Sequence, residues 1–424
     1  MFKKIFQLWN IVDVRNKILS VLGILVLFRV TAAIPIPGAD IANLRAFFES
    51  NQIFGLMNIF SGGGLSNFSI VAMGVAPYIT ASIIFQLLVM IIPRLEALSK
   101  EGEYGRQKIN QYTRYLTVPL AVLQAYGLLT VLRHSPRPIL GDLSLPAMGA
   151  MILTLTAGTV FLMWLGELIS EKKVGNGISI LIFAGIVSGL PSLVRSFQVL
   201  DSSQVFNIVL FVAIAIVTIV LVVVMSEGQR NIPVTYARQL RGRALGGSID
   251  THLPIRINQA GVIPIIFAIS VILFPPTIAQ FMLQARSQSL VAAAQSIISF
   301  FNDRIVYGVL YFLLVIAFTY FYTSVIFKPD QIAENLQKQG GFIPGIRPGV
   351  PTAEYLQMVV SKIILPGGLF LALIAVLPLI VQEITGLQSL VVGGTSLLIV
   401  VAVALEIFKQ VQAQLSMRDY EDFL

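Results

Sequence analysis

Long apolar stretches alternate with short polar ones along this chain, and their spacing predicts its architecture. Runs able to cross a ~30 Å hydrocarbon core at about 1.5 Å per helical residue fall near residues 18–37, 74–92, 115–132, 149–168, 178–194, 206–226, 258–279, 305–327, 363–381 and 389–408. Ten spanning helices are expected. The first run follows Lys3, Lys4, Arg15 and Lys17, exceeds the apolar region of a signal peptide and closes on "PIPG", so it reads as a retained span. Ahead of it, "MFKKIFQLW" suits an amphipathic helix lying on the membrane surface.

Composition agrees: 56% of the 424 residues are hydrophobic and 12% charged, against roughly 25% charged in a soluble domain. Mean hydropathy is +0.84. This is the profile of an integral membrane protein. With no cysteine, the chain has no disulfide framework, thiolate metal site or cysteine nucleophile. His134 and His252 lie in loops without partners at ligand spacing, so neither a metal site nor a cofactor is expected.

Ten spans put both termini on one side. Segments on that side hold 22 of the 29 Lys and Arg residues, whereas the opposite loops hold six and Arg29 lies within the first span. Positive charge is retained inside, which predicts cytoplasmic termini.

The second run contains "GVAPYITA" (74–81) and the seventh "GVIPIIFA" (261–268), which coincide at Gly, Val, Pro, Ile and Ala without a gap. The fifth opens "NGISILI" (176–182) and the tenth "GGTSLLI" (393–399). Both matches span an offset of five, which suggests a duplicated five-helix unit. Because five is odd, the second copy enters the membrane inverted. Inverted repeats are common in ion-coupled transporters, with a working site near the midplane, and such a transporter is the alternative reading. It would call for ionisable residues within the spans, yet Arg29 sits in an outer part where it can snorkel, and Glu167 and Glu406 sit near cytoplasmic ends.

Eight motifs in order, "IPIPG" (34–38), "FSGGGLSNFSI" (60–70), "APYITASIIFQLL" (76–88), "EGEYGRQKINQYTRY" (101–115), "GNGISILIFAGIVSGLP" (175–191), "NQAGVIPIIFA" (258–268), "GFIPGIRPG" (341–349) and "GGTSLLIVV" (393–401), give the chain a resemblance to the SecY family, of bacterial or plastid type. These proteins are the central subunit of the Sec translocon, a channel for unfolded polypeptide. The resemblance implies an all-α integral membrane fold of ten transmembrane helices in two inverted halves, residues 1–200 and 201–424. It further implies a short plug half-helix near 55–72, large cytoplasmic loops near 228–257 and 328–362, no enzymatic activity, and residence in the cell (plasma or inner) membrane.

Site residues follow from the same resemblance. Ser61, Gly62, Gly63, Gly64, Leu65, Ser66 and Asn67 fall in the plug, where small residues and weak helix propensity suit a segment that must leave and return. Ile79, Ile83, Ile182, Ile186, Ile266 and Ile399 would form an apolar pore ring, whose branched aliphatic walls offer no fixed hydrogen bonds and resist wetting. Packing between helices is the plainer use of such isoleucines. Thr80, Gln124 and Ser270 resemble a polar cluster across a lateral gate through which signal sequences of precursors reach membrane lipid, although hydroxyls in spans commonly bond their own backbone.

Arg238, Arg241, Arg243 and Arg347 fall in the two cytoplasmic loops, the first three beside a hairpin turn at Gly246–Gly247 and the last in a Gly- and Pro-punctuated tip. In the family these loops dock the ribosome, through RNA phosphate, or the SecA motor ATPase. SecE and SecG subunits are implied as well. No G-x-x-x-x-G-K-[ST] loop occurs, so energy would come from a partner.

Overall fold

A computed structural model describes residues 11–50, 58, 61–133, 139–141, 144–198, 205–236, 249–283, 287–385 and 391–421. The amphipathic segment expected at 1–9 and the loop residues Arg238, Arg241 and Arg243 lie outside the described residues.

Helices dominate, and each expected span has a counterpart. In chain order they are α1 (Val12–Ala33), α2 (Ile41–Ser50), α3 (Ala76–Ile91), α4 (Pro93–Lys100), α5 (Glu103–Arg133), α6 (Leu145–Glu171), α7 (Gly177–Gln198), α8 (Val205–Glu227), α9 (Ile263–Met282), α10 (Gln288–Asn302), α11 (Arg304–Ile326), α12 (Pro329–Lys338), α13 (Val350–Thr385) and α14 (Val391–Glu421). Among the described residues, six stretches are individually long and apolar enough to span a bilayer. The pair α3 and α4 qualifies jointly but is bent by 101°. Shorter apolar helices run over Gly177–Pro191, Val212–Glu227 and Ile263–Ala279.

Three helices outrun their apolar stretches. α5 starts twelve residues before the expected span at 115, α13 starts thirteen before 363, and α14 continues thirteen beyond 408. Hydropathy marks where lipid ends. Helical hydrogen bonding ends elsewhere, at a cap or a breaker. The 101° bend has such a cause: Ile92, preceding Pro93, is pushed to an extended conformation (φ −99°, ψ 111°), and Pro93 then opens α4. Within the spans, Thr113, Thr117, Thr319 and Thr323 each donate to the carbonyl four residues back. A hydroxyl without water thus finds its acceptor inside its own helix.

The all-α expectation needs amending. β1 (Gln229–Tyr236) and β2 (Ile249–Arg256) form an antiparallel pair whose register runs from Gln229↔Arg256 to Tyr236↔Ile249, and β3 (Gly341–Phe342) joins the free edge of β1. Alternation on β1 turns Ile232 and Val234 inward. They meet Ile255, Leu336, Ile343, Leu356 and Val360 in a small core that unites the hairpin, α12 and the start of α13. The glycine turn expected at 246–247 lies outside the described residues, but the strands on either side pair as a hairpin requires.

The repeat motif has a backbone signature. Gly74 (φ +59°) and Gly261 (φ +63°) occupy equivalent motif positions, each two residues before its helix, α3 or α9. Both adopt the left-handed conformation that favours glycine.

Candidate pore and closing segment

Six isoleucines come from four helices. Ile79 and Ile83 lie one turn apart on α3, Ile182 and Ile186 one turn apart on α7, Ile266 on α9 and Ile399 on α14. All are buried and all belong to one apolar cluster. Helical spacing of four residues presents each pair on one face, and the faces converge because α3 meets α9 while α7 meets α14. None of the six positions carries a polar atom that could bind a particular side chain.

Against this cluster sits Ser61–Val75. These residues form consecutive turns, interrupted by a single β-bridge from Ser69 to Pro35; of the half-helix expected near 55–72, Asn58 is helical and residues 55–57, 59 and 60 lie outside the described residues. The physical reason is local. Gly62 (φ +66°) and Gly63 (φ +80°) are left-handed, as is Phe68 at φ +46°, and a right-handed helix cannot pass through them. Side chains replace the missing helical bonds. Ser61 Oγ donates to Asn58 O (3.0 Å) and accepts from Leu65 N (3.0 Å), while Asn58 Oδ1 accepts from Ser66 N (2.9 Å). Ser66 Oγ donates to Gly63 O at 2.9 Å. Asn67 is half-buried.

Close backbone approach explains the glycines. A Cβ on Gly62 would fall 2.8 Å from the Phe28 ring and 2.9 Å from Gly185 Cα, so the segment is pressed between α1 and α7, next to Ile186. Gly158 on α6 is tighter still, since a Cβ there would lie 1.9 Å from Ile70 O. The "IPIPG" motif closes the far side: Ile36 N donates to Phe68 O (2.8 Å) and Ile70 N to Ile34 O (3.1 Å). Leu65 and Phe68 are buried in a second apolar cluster with Ala121, Ala125 and Leu129 of α5 and Leu155 of α6.

Arg29 carries a role that the sequence reading missed. Its side chain does more than snorkel, because Nη1 donates to Gly62 O at 2.6 Å, tying α1 to the turn segment 33 residues away. An arginine in an apolar run was the available signal; its partner is a backbone carbonyl, to which no residue type points. Two ion pairs were equally illegible: Arg114 with Glu167, between α5 and α6, and Lys409 with Glu227 (2.7 Å), between α14 and α8.

α3, α5 and α9 meet along one seam. There Thr80 Oγ1 donates to Ala76 O (3.1 Å) and Ser270 Oγ to Ile266 O (2.9 Å), each within its own helix, and Gln124 is half-buried. The helices converge as expected, but these hydroxyls are held by local backbone instead of bridging them.

Arg347 is exposed at the tip of its loop. Gly345 (φ +82°) and Gly349 (φ +97°) make the turns, Ile343 anchors the loop in the small core, and Thr352 Oγ1 donates to Arg347 O at 2.8 Å. His252 sits on β2 opposite Pro233.

A family model described as SecY matches residues 69–408. The protein translocase subunit SecY of Mycobacterium bovis is 45% identical to this chain, over 97% of each. Among solved structures, a protein conducting channel superposes with a TM-score of 0.64 at 17% identity, covering 93% of this chain and 90% of its own. A SecY protein whose plug domain stabilises the closed state of its translocation channel gives 0.63 at 19%, over 93% and 91%. Sec61 from a canine ribosome-channel complex gives 0.58 at 17%, over 93% and 90%.

Proposed function

The chain belongs to the SecY family, and from that premise we propose how its residues make a protein-conducting channel that passes unfolded polypeptide across the membrane and releases apolar helices into it. One observation carries the reading: six isoleucines from α3, α7, α9 and α14 converge in a single buried cluster with a separate turn segment seated against it. A ring of branched aliphatic side chains seals when empty because a narrow apolar constriction excludes water. It accepts any sequence because it offers no fixed hydrogen bonds.

Segment 61–75 acts as the plug. Its seat combines the buried Leu65 and Phe68 with glycine contacts, short side-chain-to-backbone bonds and one arginine, all of which must be released when it moves. Opening the seam between α3 and α9 would let an apolar signal sequence reach lipid. Ten spans in two inverted halves, 1–200 and 201–424, are the reading supported by the six full-length spans, one bent pair and three shorter apolar helices among the described residues, and by the matched left-handed glycines 74 and 261. Charge bias favours cytoplasmic termini in the cell membrane.

On that side Arg347 presents a cation to SecA or to ribosomal RNA phosphate, and Arg238, Arg241 and Arg243 of the other cytoplasmic loop would add to it. SecE and SecG would complete the complex. An ion-coupled transporter is the reading to exclude. Purified chain with its partner subunits, reconstituted in vesicles, should export a signal-bearing precursor only with SecA and ATP. Solute uptake driven by an ion gradient without a motor would reverse the assignment.

A further inference from the structure

The connection between α6 and α7 is held from three directions. Asn176 caps α7, its Oδ1 accepting from Ile178 N (3.1 Å) and Ser179 N (3.2 Å). From α6, Ser170 Oγ accepts from Gly177 N at 2.9 Å, and the two backbones touch, since a Cβ on Gly177 would fall 1.7 Å from Gly166 O. The third direction is α14. Gln414 Nε2 donates to Lys173 O, 241 residues away, and the Glu406 carboxylate accepts from the backbone N–H of Asn176. Between these contacts Ile407 lies against Gly175, where a Cβ would sit 3.5 Å from its Cγ1. Lys173 itself is left-handed at φ +57°, a conformation uncommon outside glycine, so a constrained turn presents the accepting carbonyl.

Position along the two helices ties these contacts to the ring. Ile182 and Ile186 lie in the second and third turns of α7, and Ile399 precedes Glu406 by seven residues, which puts both on one face of α14. Holding Glu406 against the start of α7 therefore limits how far the two helices slide or rotate past each other. A carboxylate there also suits the positive end of the α7 dipole. The other three isoleucines sit on α3 and α9, which have no ion pair between them among the described residues. One side of the ring is clasped and the other is free to part.

We infer that residues 406–414 of α14 form a clasp on the α6–α7 connection, in which Glu406 and Gln414 are positioning residues that keep Ile182, Ile186 and Ile399 in register while α3 and α9 separate. The inference deepens the channel reading and rests on it. With the clasp released, α7 and α14 shift independently, the empty ring closes less well, and precursors with defective signal sequences meet a weaker barrier.

The test uses the full chain with its partner subunits in vesicles, with SecA and ATP, and compares export of a signal-defective precursor with that of an intact one at matched protein level. Glu406→Ala with Gln414→Ala should raise the ratio of defective to intact export about tenfold. Lys173→Cys with Gln414→Cys, added to Glu406→Ala, should restore the native ratio once a short thiol cross-linker joins the two positions, which the cysteine-free chain permits. Lys409→Gln breaks the pair between α14 and α8 but leaves the α6–α7 contacts, and should not move the ratio. Hydrogen exchange of the amides of residues 177–181 should quicken in the double variant and not in Lys409→Gln. Gln414→Ala alone, beyond the apolar run, should shift the ratio the same way by about threefold, so the test stands even if the double variant assembles poorly. An unchanged ratio, a rise that cross-linking does not reverse, or an equal rise in Lys409→Gln would overturn the inference. Native protein that exports neither precursor would overturn the channel reading instead, with hydrogen exchange still reporting the clasp.

Discussion

Gly158 is the residue with least room to change. A Cβ would meet Ile70 O at 1.9 Å, a backbone atom that cannot rotate away, so Gly158→Ala must push α6 from the turn segment. Resting ion leak across vesicles should rise while α6 remains helical; unchanged conductance would separate this contact from sealing. Arg29→Met removes the bond to Gly62 O. A charge-assisted hydrogen bond contributes about 1.5–3 kcal/mol, so the displaced form of the plug should gain roughly tenfold in population, read as more leak at matched protein level. In the ring, Ile83→Asn or Ile399→Asn should hydrate the constriction and let signal-defective precursors through, whereas isoleucines that only pack helices would lose assembly. Arg347→Ala should reduce SecA-dependent export about tenfold or more by removing a contact of this strength, with resting impermeability intact. Arg347→Lys should rescue poorly if the contact needs the planar fork, and normal export by both variants would remove this residue from docking.

At the scale of elements, the turn segment is more deeply built in than a loop of glycines and serines suggests. Leu65 and Phe68 are essentially inaccessible, so deleting 60–70 removes a piece of the second apolar cluster as well as a seal. Phe68→Ala alone should cost about 3–5 kcal/mol, visible as lower thermal stability of the purified protein, whereas Ser66→Ala, at a half-buried position bonded to Gly63 O, should cost little. A deletion that both leaks and melts early fits this packing. One that leaks with unaltered melting would mean that the cluster closes without the segment.

Across the whole molecule, the proposed ten-span topology can be tested directly because the chain has no cysteine. Single cysteines at Ser99, Thr251 and Gln337 should react with an impermeant maleimide only from the cytoplasmic side, and one at Ser289 only from the opposite side. Any reversal breaks the odd offset on which inversion depends. The Arg114–Glu167 pair joins α5 to α6 and Lys409–Glu227 joins α14 to α8, whereas α3, α5 and α9 meet with no ion pair across them among the described residues. Such a seam can part at modest cost.

Much of this was legible because membranes restrict the alternatives. A backbone in hydrocarbon must be helical or a closed barrel, so apolar length alone located the spans, and charge counting suggested their direction. The isoleucines at 79, 83, 182, 186, 266 and 399 were named from the resemblance to the SecY family, and the structure gathers them in one buried cluster. The path of segment 61–75 could not be named. Its glycines announced weak helix propensity, but which neighbours they admitted, Phe28, Gly185 and, through Gly158, the carbonyl of Ile70, depends on contacts between residues distant in sequence. The partner of Arg29 and the local bonding of Thr80 and Ser270 were hidden for a related reason: their acceptors are backbone carbonyls, which every residue carries. Periodicity reports which face of an element is apolar; only the packed structure decides what that face touches.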